Sequence, residues 1–232
     1  MSELYKPAQM IDTHQHLWKP SERSYEWLTA VPPLNADFGP EDVAADVAAA
    51  GITTTVLVQA ADTYEDTFYM LSVVASVPVV RSVIAWAPLD RAGEAAAAIE
   101  FYASSPAVGG VRVLNHNYAD PRWLLQDSVD ASLKLLAERG LALDVVSVAP
   151  EHLEMLAELA GRHPELTIVL DHMAKPDIAG EGWEPWASLI ADVAARPNVS
   201  IKLSGLNTAS GPEWTWEDWL PYVNHAVEHF GS

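Results

Sequence analysis

Apolar and polar positions alternate between two periods along this chain. Short, almost continuous apolar runs are separated by longer stretches with helical spacing. Met10-Ile11 leads into a first strand that closes on Asp12-Thr13-His14-Gln15-His16. Behind Pro40, the residues Val43, Val47 and Ala50 repeat at helical spacing, and Gly51 stands where a helix-ending glycine belongs. The β-branched run Thr53 to Gln59 predicts a buried second strand. Thr63 with Asp66 predicts a capped helix reaching about Ser76. Further strands are predicted at 79–86, 109–114, 141–146, 166–172 and 199–204. Helices are predicted between and after them at 90–102, 124–139, 150–162, 185–196 and 216–230.

Strand then helix, seven times over, predicts a parallel sheet covered by helices. A doubly wound open sheet and a TIM-type (β/α)₈ barrel both fit that order. No Gly-x-Gly-x-x-Gly follows any strand, which weakens the dinucleotide-binding version of the open sheet. A barrel ordinarily has eight units. The sequence supplies about seven, so the expectation is a single barrel domain over 1–232 that stops before strand 8. Open edges on the first and seventh strands would make a homo-oligomer an available solution.

Composition narrows the function classes. Half of the 232 residues are hydrophobic, enough for a large core. There is no cysteine, hence no disulfide framework and no thiolate nucleophile or ligand. The formal charge of −19 argues against nucleic acid and against anionic membrane as partners. The start of the chain has no signal-peptide pattern, and no apolar run is long enough to span a bilayer. A cytoplasmic protein acting on a small molecule is the resulting expectation.

The candidate chemistry sits at strand ends. In an extended strand His14 and His16 share a face about 7 Å apart, a spacing from which two imidazoles can converge on one metal ion. Arg112 and Lys202 lie near the ends of the fourth and seventh strands, and His172 ends the sixth. In a barrel those ends carry the active site. Residue parity groups His172 with Ile168 and Leu170, and Lys202 with Ser200 and Ser204. Each residue also has a structural reading: Lys202 as an ion-pair partner in the barrel floor, Arg112 as the holder of a loop carboxylate, His172 as a satisfied strand-end histidine. His116, His152, His163, His225 and His229 read mostly as solvated side chains on loops or helices. The loop with Trp18, Tyr25 and Trp27 reads as a lid or a pocket wall. Asn115 opens the loop after the fourth strand and joins the substrate-binding candidates. Trp183 and Trp214 suit a pocket wall because flat aromatic faces match the C–H face of a sugar-like ring. Trp216, Trp219 and Leu220, at helical spacing, read as core or as helix-docking residues.

Taken together, Ile11-Asp12-Thr13-His14-Gln15-His16-Leu17-Trp18, Tyr25-Glu26-Trp27-Leu28, Gly110-Val111-Arg112, Leu170-Asp171-His172-Met173-Ala174-Lys175-Pro176 and Ile201-Lys202-Leu203-Ser204-Gly205-Leu206 resemble the amidohydrolase-2 family. The similarity is to its sugar-lactonase branch and runs along essentially the whole chain. It implies a (β/α)₈ barrel in which His14, His16 and His172 bind one divalent metal, zinc being possible, or in which no metal is used. It also implies opening of a sugar-type 1,4-lactone by water attack on the carbonyl, with Arg112, Lys202 and His172 catalytic. Two departures stand out. The fifth strand ends in Leu143-Asp144-Val145-Val146, without the histidine of two-metal relatives. The sequence ends at Phe230-Gly231-Ser232, without the eighth strand that carries the family's aspartate, as either a fragment or a truncated variant would. The alternatives are a metal-dependent decarboxylase of the same family and an inactive barrel fragment that binds a ligand or metal without turnover.

Overall fold

The computed structural model describes residues 9–231. They fall into two compact units: one runs to Ala87 and includes Ser105–Gly109, and the other comprises Pro88–Ser104 and the chain from Gly110 onward.

The first unit carries β1 (Ile11–Gln15), α1 (Pro40–Ala49), β2 (Thr54–Val58), α2 (Tyr64–Ser76) and β3 (Val80–Ala85). Its strands are parallel and pair in chain order, β1 with β2 and β2 with β3. α1 begins at a proline, whose fixed φ and missing N–H suit the first helical position. The Gly39 N–H donates to Asp42 Oδ2 at 2.7 Å, closing that end. At the other end Gly51 takes φ +73°, the left-handed value a side chain resists. α2 starts as its sequence predicts, with Thr63 accepting from the Asp66 N–H at 3.2 Å. Leu17, Leu28, Leu57, Met70 and Val83 form the packed interior of this unit. Burying such side chains supplies roughly 1.5–3 kcal/mol each.

The second unit holds α3 (Ala92–Ala103), the larger part of β4 (Val108–Val113), α4 (Asp127–Glu138), β5 (Ala142–Val146), α5 (Pro150–Arg162), β6 (Ile168–Asp171), α6 (Trp186–Ala194), β7 (Val199–Ile201) and α7 (Leu220–Phe230). Its strands are again parallel and in chain order from β4 to β7. Gly110 is required where it stands, because a Cβ there would lie 2.5 Å from the Ala142 carbonyl oxygen across the strand pair. Leu143, Val145, Leu156, Ile168, Leu170 and Ile190 fill the core between strands and helices.

The predicted elements form, with differences at their ends. β6 stops at Asp171 and β7 at Ile201, so His172 and Lys202 stand just beyond their strands. The helix expected from 124 begins only at Asp127, after a 3₁₀ turn at Trp123–Leu125. The last helix likewise begins at Leu220 behind a 3₁₀ turn at Trp216–Trp219. Trp216 is 59% exposed and Leu220 39%, so neither is a core residue. The 3₁₀ turn takes Trp216 out of the α-helical spacing that linked it to Leu220. Among the described residues no helix is long and apolar enough to cross a membrane.

Candidate active site

The two histidines of the first strand converge. His14 Nε2 and His16 Nε2 are 3.0 Å apart, with the rings edge to face at a centroid distance of 4.8 Å. Plain strand alternation would leave them further apart. The β1–β2 register shifts between Asp12 and Gln15, and the His14 N–H is drawn onto Asp12 Oδ1 at 3.0 Å. This local side-chain bond competes with the ladder and turns the strand end. His16 Nδ1 lies 2.8 Å from the Val58 carbonyl oxygen. A carbonyl can only accept, so Nδ1 carries the proton and Nε2 carries the lone pair. That is the usual support of a metal-binding histidine. Nitrogens at about 2.0–2.1 Å from one tetrahedral ion sit roughly 3.3 Å apart. The observed pair fits a shared ion with only a slight parting of the rings.

The loop after β1 is organised by aromatic contacts. Trp18 packs on Trp27 at 5.3 Å and on Phe38 at 5.0 Å. Trp18 Nε1 donates to the Leu34 carbonyl at 3.0 Å and Trp27 Nε1 to that of Ala60 at 2.9 Å. Tyr25 is different: it is 5% exposed, and its hydroxyl donates to Asp66 Oδ1 at 2.9 Å. Burial and the Asp66 charge push the Tyr25 phenol well above its ordinary value. Asp66 Oδ2 accepts from the Ala60 N–H at 2.8 Å, and burial raises its carboxyl. Trp27 therefore stays at the surface, 38% exposed, while Tyr25 ties the loop to the start of α2.

In the second unit the strand-end charges gather into a buried quartet. Arg112 Nε donates to Asp171 Oδ2 at 2.7 Å. Lys202 Nζ is 3.0 Å from Asp171 Oδ1 and also pairs with Asp144 Oδ2. Arg112 and Asp144 are opposite each other in the β4–β5 register, and Val146 is opposite Asp171 in β5–β6. Asp171 stands two positions further along the β5–β6 register than Asp144, and the long Arg112 and Lys202 side chains reach it. Asp144 and Asp171 are essentially inaccessible, and Lys202 is 11% exposed. Burial pushes the Asp144 carboxyl up to about 6, with the Lys202 charge opposing and the Asp171 charge adding to the rise. Arg112 and Lys202 are expected from the sequence as site residues, whereas the two aspartates that partner them are not. The available signal was an acidic residue within the apolar run of β5 and another at the end of β6, each costly unless paired.

His172 is held by an unusual turn. His172, Met173, Ala174 and Lys175 all have φ between 48° and 56°. Non-glycine residues rarely adopt that region, and such runs concentrate at functional sites. The turn is pinned by the Lys175 N–H on the His172 carbonyl at 2.8 Å and by Trp186 Nε1 on the Met173 carbonyl at 2.7 Å. His172 Nδ1 lies 3.0 Å from Ser204 Oγ. Gly205 underlies the ring, since a Cβ there would come within 2.6 Å of His172 Nδ1. Strand parity therefore does not set the direction of His172. Nearby cations also sense one another: burial, then Lys175 and Arg112, hold His116 below its ordinary value, and burial and Arg112 do the same to Lys175.

The remaining candidates are spread more widely. Asn115 is fully buried, with Nδ2 donating to the Pro121 carbonyl at 3.2 Å. Trp183 and Trp214 line a cleft of about 600 Å³ together with Ile178, Glu181, Pro212 and Tyr222. Trp214 stacks on Trp219 at 4.5 Å. Of the histidines expected in solvent, His152 and His163 are buried, and burial lowers both. His225 is half-buried, with Nε2 2.8 Å from the Ala187 carbonyl oxygen.

A parallel strand–helix chain with histidines and buried charges at its strand ends has the layout of a barrel-type enzyme. The amidohydrolase family model matches residues 11–232, and the chain belongs to that family. It is 37% identical over 223 residues to an L-fucono-1,5-lactonase of Burkholderia ambifaria, covering 96% of this chain and 76% of that protein. An L-fucono-1,5-lactonase of Burkholderia multivorans is 27% identical over 208 residues, 87% of this chain and 69% of that one. The crystal structure of an amidohydrolase from Burkholderia multivorans with bound zinc superposes with a TM-score of 0.87 at 24% identity, covering 97% of this chain and 81% of that one. The fold is accordingly the TIM-type barrel of the amidohydrolases, represented here by seven strand–helix units.

Proposed function

We propose that this amidohydrolase opens a sugar-type lactone by hydrolysis. The observation that carries the reading is the 37% identity to an L-fucono-1,5-lactonase across 96% of the chain. Both curated lactonase relatives are named for a 1,5-lactone, so the proposal takes a six-membered ring in place of the 1,4-lactone suggested by family resemblance. A compartment containing such sugar acids, most simply the cytoplasm, and a role in carbohydrate breakdown go with that substrate.

In this proposal His14 and His16 hold one divalent ion, and the family pattern adds His172. The 3.0 Å approach of the two Nε2 atoms and the Val58 carbonyl on His16 support the donor set. Zinc is favoured by the imidazole ligands and by the zinc in the superposed amidohydrolase. Such an ion supplies Lewis-acid polarisation of the ester carbonyl and acidifies water. Arg112 and Lys202 place positive charge where negative charge grows on the lactone oxygens. Their anchoring by Asp171 and Asp144 keeps them in position, and a preorganised charge in a dry site acts more strongly than one in water. Trp18, Trp27, Trp183 and Trp214 are the candidates for contact with the sugar, and the buried Tyr25 and Asn115 would hold their own loops in place.

The test is product analysis with L-fucono-1,5-lactone. Release of the open-chain acid, with one proton per turnover, supports the lactonase reading. Release of carbon dioxide from an aromatic acid, with no lactone turnover, would move the assignment to the decarboxylases.

A further inference from the structure

We propose that the last turns of α7 form a second, peripheral metal site made by His225, Glu228 and His229. It would take a borderline-soft divalent ion such as Zn²⁺, Ni²⁺ or Cu²⁺. The inference is independent of the lactonase reading.

The three residues occupy positions i, i+3 and i+4 of one helix, so their side chains rise from one face. One ligand atom from each lies within 4.8 Å of the others. The His225 and His229 rings meet at a centroid distance of 4.4 Å. Two histidines at this helical spacing with an acid beside them make a recurrent way of binding zinc. Glu228 and His229 are exposed, so small rotamer changes can close the remaining gap to a common ion.

His225 supplies the second, independent observation. Its Nε2 lies 2.8 Å from the Ala187 carbonyl oxygen, which can only accept. The proton is therefore on Nε2, and Nδ1 carries the lone pair a metal would use. Trp183 and Trp186 flank the ring at 5.0 and 5.5 Å and hold its orientation. A carbonyl on one nitrogen and a fixed ring plane are the supports that metal-ligating histidines normally have.

The donor chemistry sets the selectivity. Two imidazoles and one carboxylate favour late first-row ions over Mg²⁺ and Ca²⁺, which prefer all-oxygen shells. With a formal charge of −19 the chain will also collect cations loosely through its carboxylates. That background does not discriminate between Zn²⁺ and Mg²⁺ in this way.

The experiment is a Zn²⁺ titration of the chelator-stripped full chain, in excess Mg²⁺, competed against a chromophoric chelator. Wild type is compared with His229→Ala, Glu228→Gln and His14→Ala. The expected result is that His229→Ala binds one equivalent fewer than wild type. Glu228→Gln, which removes the charge of a ligand, should weaken binding of that equivalent by more than about tenfold. His14→Ala should retain it unchanged. Unaltered stoichiometry and affinity in His229→Ala, or displacement of the equivalent by Mg²⁺, would overturn the proposal. Because His229 is exposed, its replacement leaves folding intact, so a lost equivalent reports on the site itself.

Discussion

Lys202 Nζ lies 3.0 Å from Asp171 Oδ1, while Arg112 Nε donates to the other oxygen of the same carboxylate at 2.7 Å. One fully buried aspartate thus compensates two cations brought in by different strands. Asp171→Asn keeps the shape but removes the charge that both cations face. Breaking a buried pair from one side costs about 3–5 kcal/mol, because it leaves charge uncompensated. Urea denaturation of Asp171→Asn should show a loss of that size. A loss below about 1 kcal/mol would mean that other partners carry Arg112 and Lys202.

The His14–His16 pair makes a separate prediction about metal. Either histidine replaced by alanine leaves a single nitrogen at that strand end. Metal content after dialysis against a weak chelator should fall more than about 10-fold in both variants, at least the cost of losing a supporting partner. Replacing His16 should also free the Val58 carbonyl, so its thermal stability should fall slightly more than that of His14→Ala. Equal metal retention in wild type and both variants would dissociate the pair from metal binding.

Asp144 predicts a pH dependence with a definite sign. Burial raises its carboxyl from 3.8 to about 6 in the folded chain. Between those values the folded state holds a proton that the unfolded state has released. Stability from this group is therefore fully present below the unfolded value and is lost as pH rises through the folded one. Asp144→Asn cannot titrate, so its stability relative to wild type should improve as pH is raised from 4 to 7. Urea midpoints for the two proteins across that range give the comparison. Parallel curves would contradict the assignment.

Tyr25 is placed to hold the loop rather than to line an open surface. Its buried hydroxyl serves Asp66, which in turn accepts from the Ala60 N–H at the start of the α2 region. Tyr25→Phe should cost about 1 kcal/mol, the usual net value of one such bond. KM for the lactone should change less than twofold. A large KM increase with unchanged stability would put the hydroxyl on the substrate instead.

Much of the fold could be read from periodicity, because the strands are buried runs and the helix ends carry recognisable signals. Gly51 and Thr63 mark their helix ends as their residue types require. The site was legible as a set of costly residues at strand ends: His14, His16, Arg112, His172 and Lys202. Their partners were not, since Arg112 meets Asp171 across 59 residues of sequence and Lys202 meets Asp144 across 58. No local pattern reports a pairing set by register between strands. The convergence of His14 and His16 was legible in their spacing, whereas the Asp12 contact and the register shift beside it were not. The left-handed run from His172 to Lys175 contains no glycine, so nothing in its composition announced it.

The most direct test is the rate of L-fucono-1,5-lactone hydrolysis, followed with a pH indicator and corrected for spontaneous opening. It is measured for wild type, for wild type with chelator, and for His14→Ala. Enzyme-dependent opening by wild type, reduced by about 10²-fold or more in the other two samples, is the predicted result. Wild-type rates no higher than the spontaneous reaction, or full activity in His14→Ala, would contradict it.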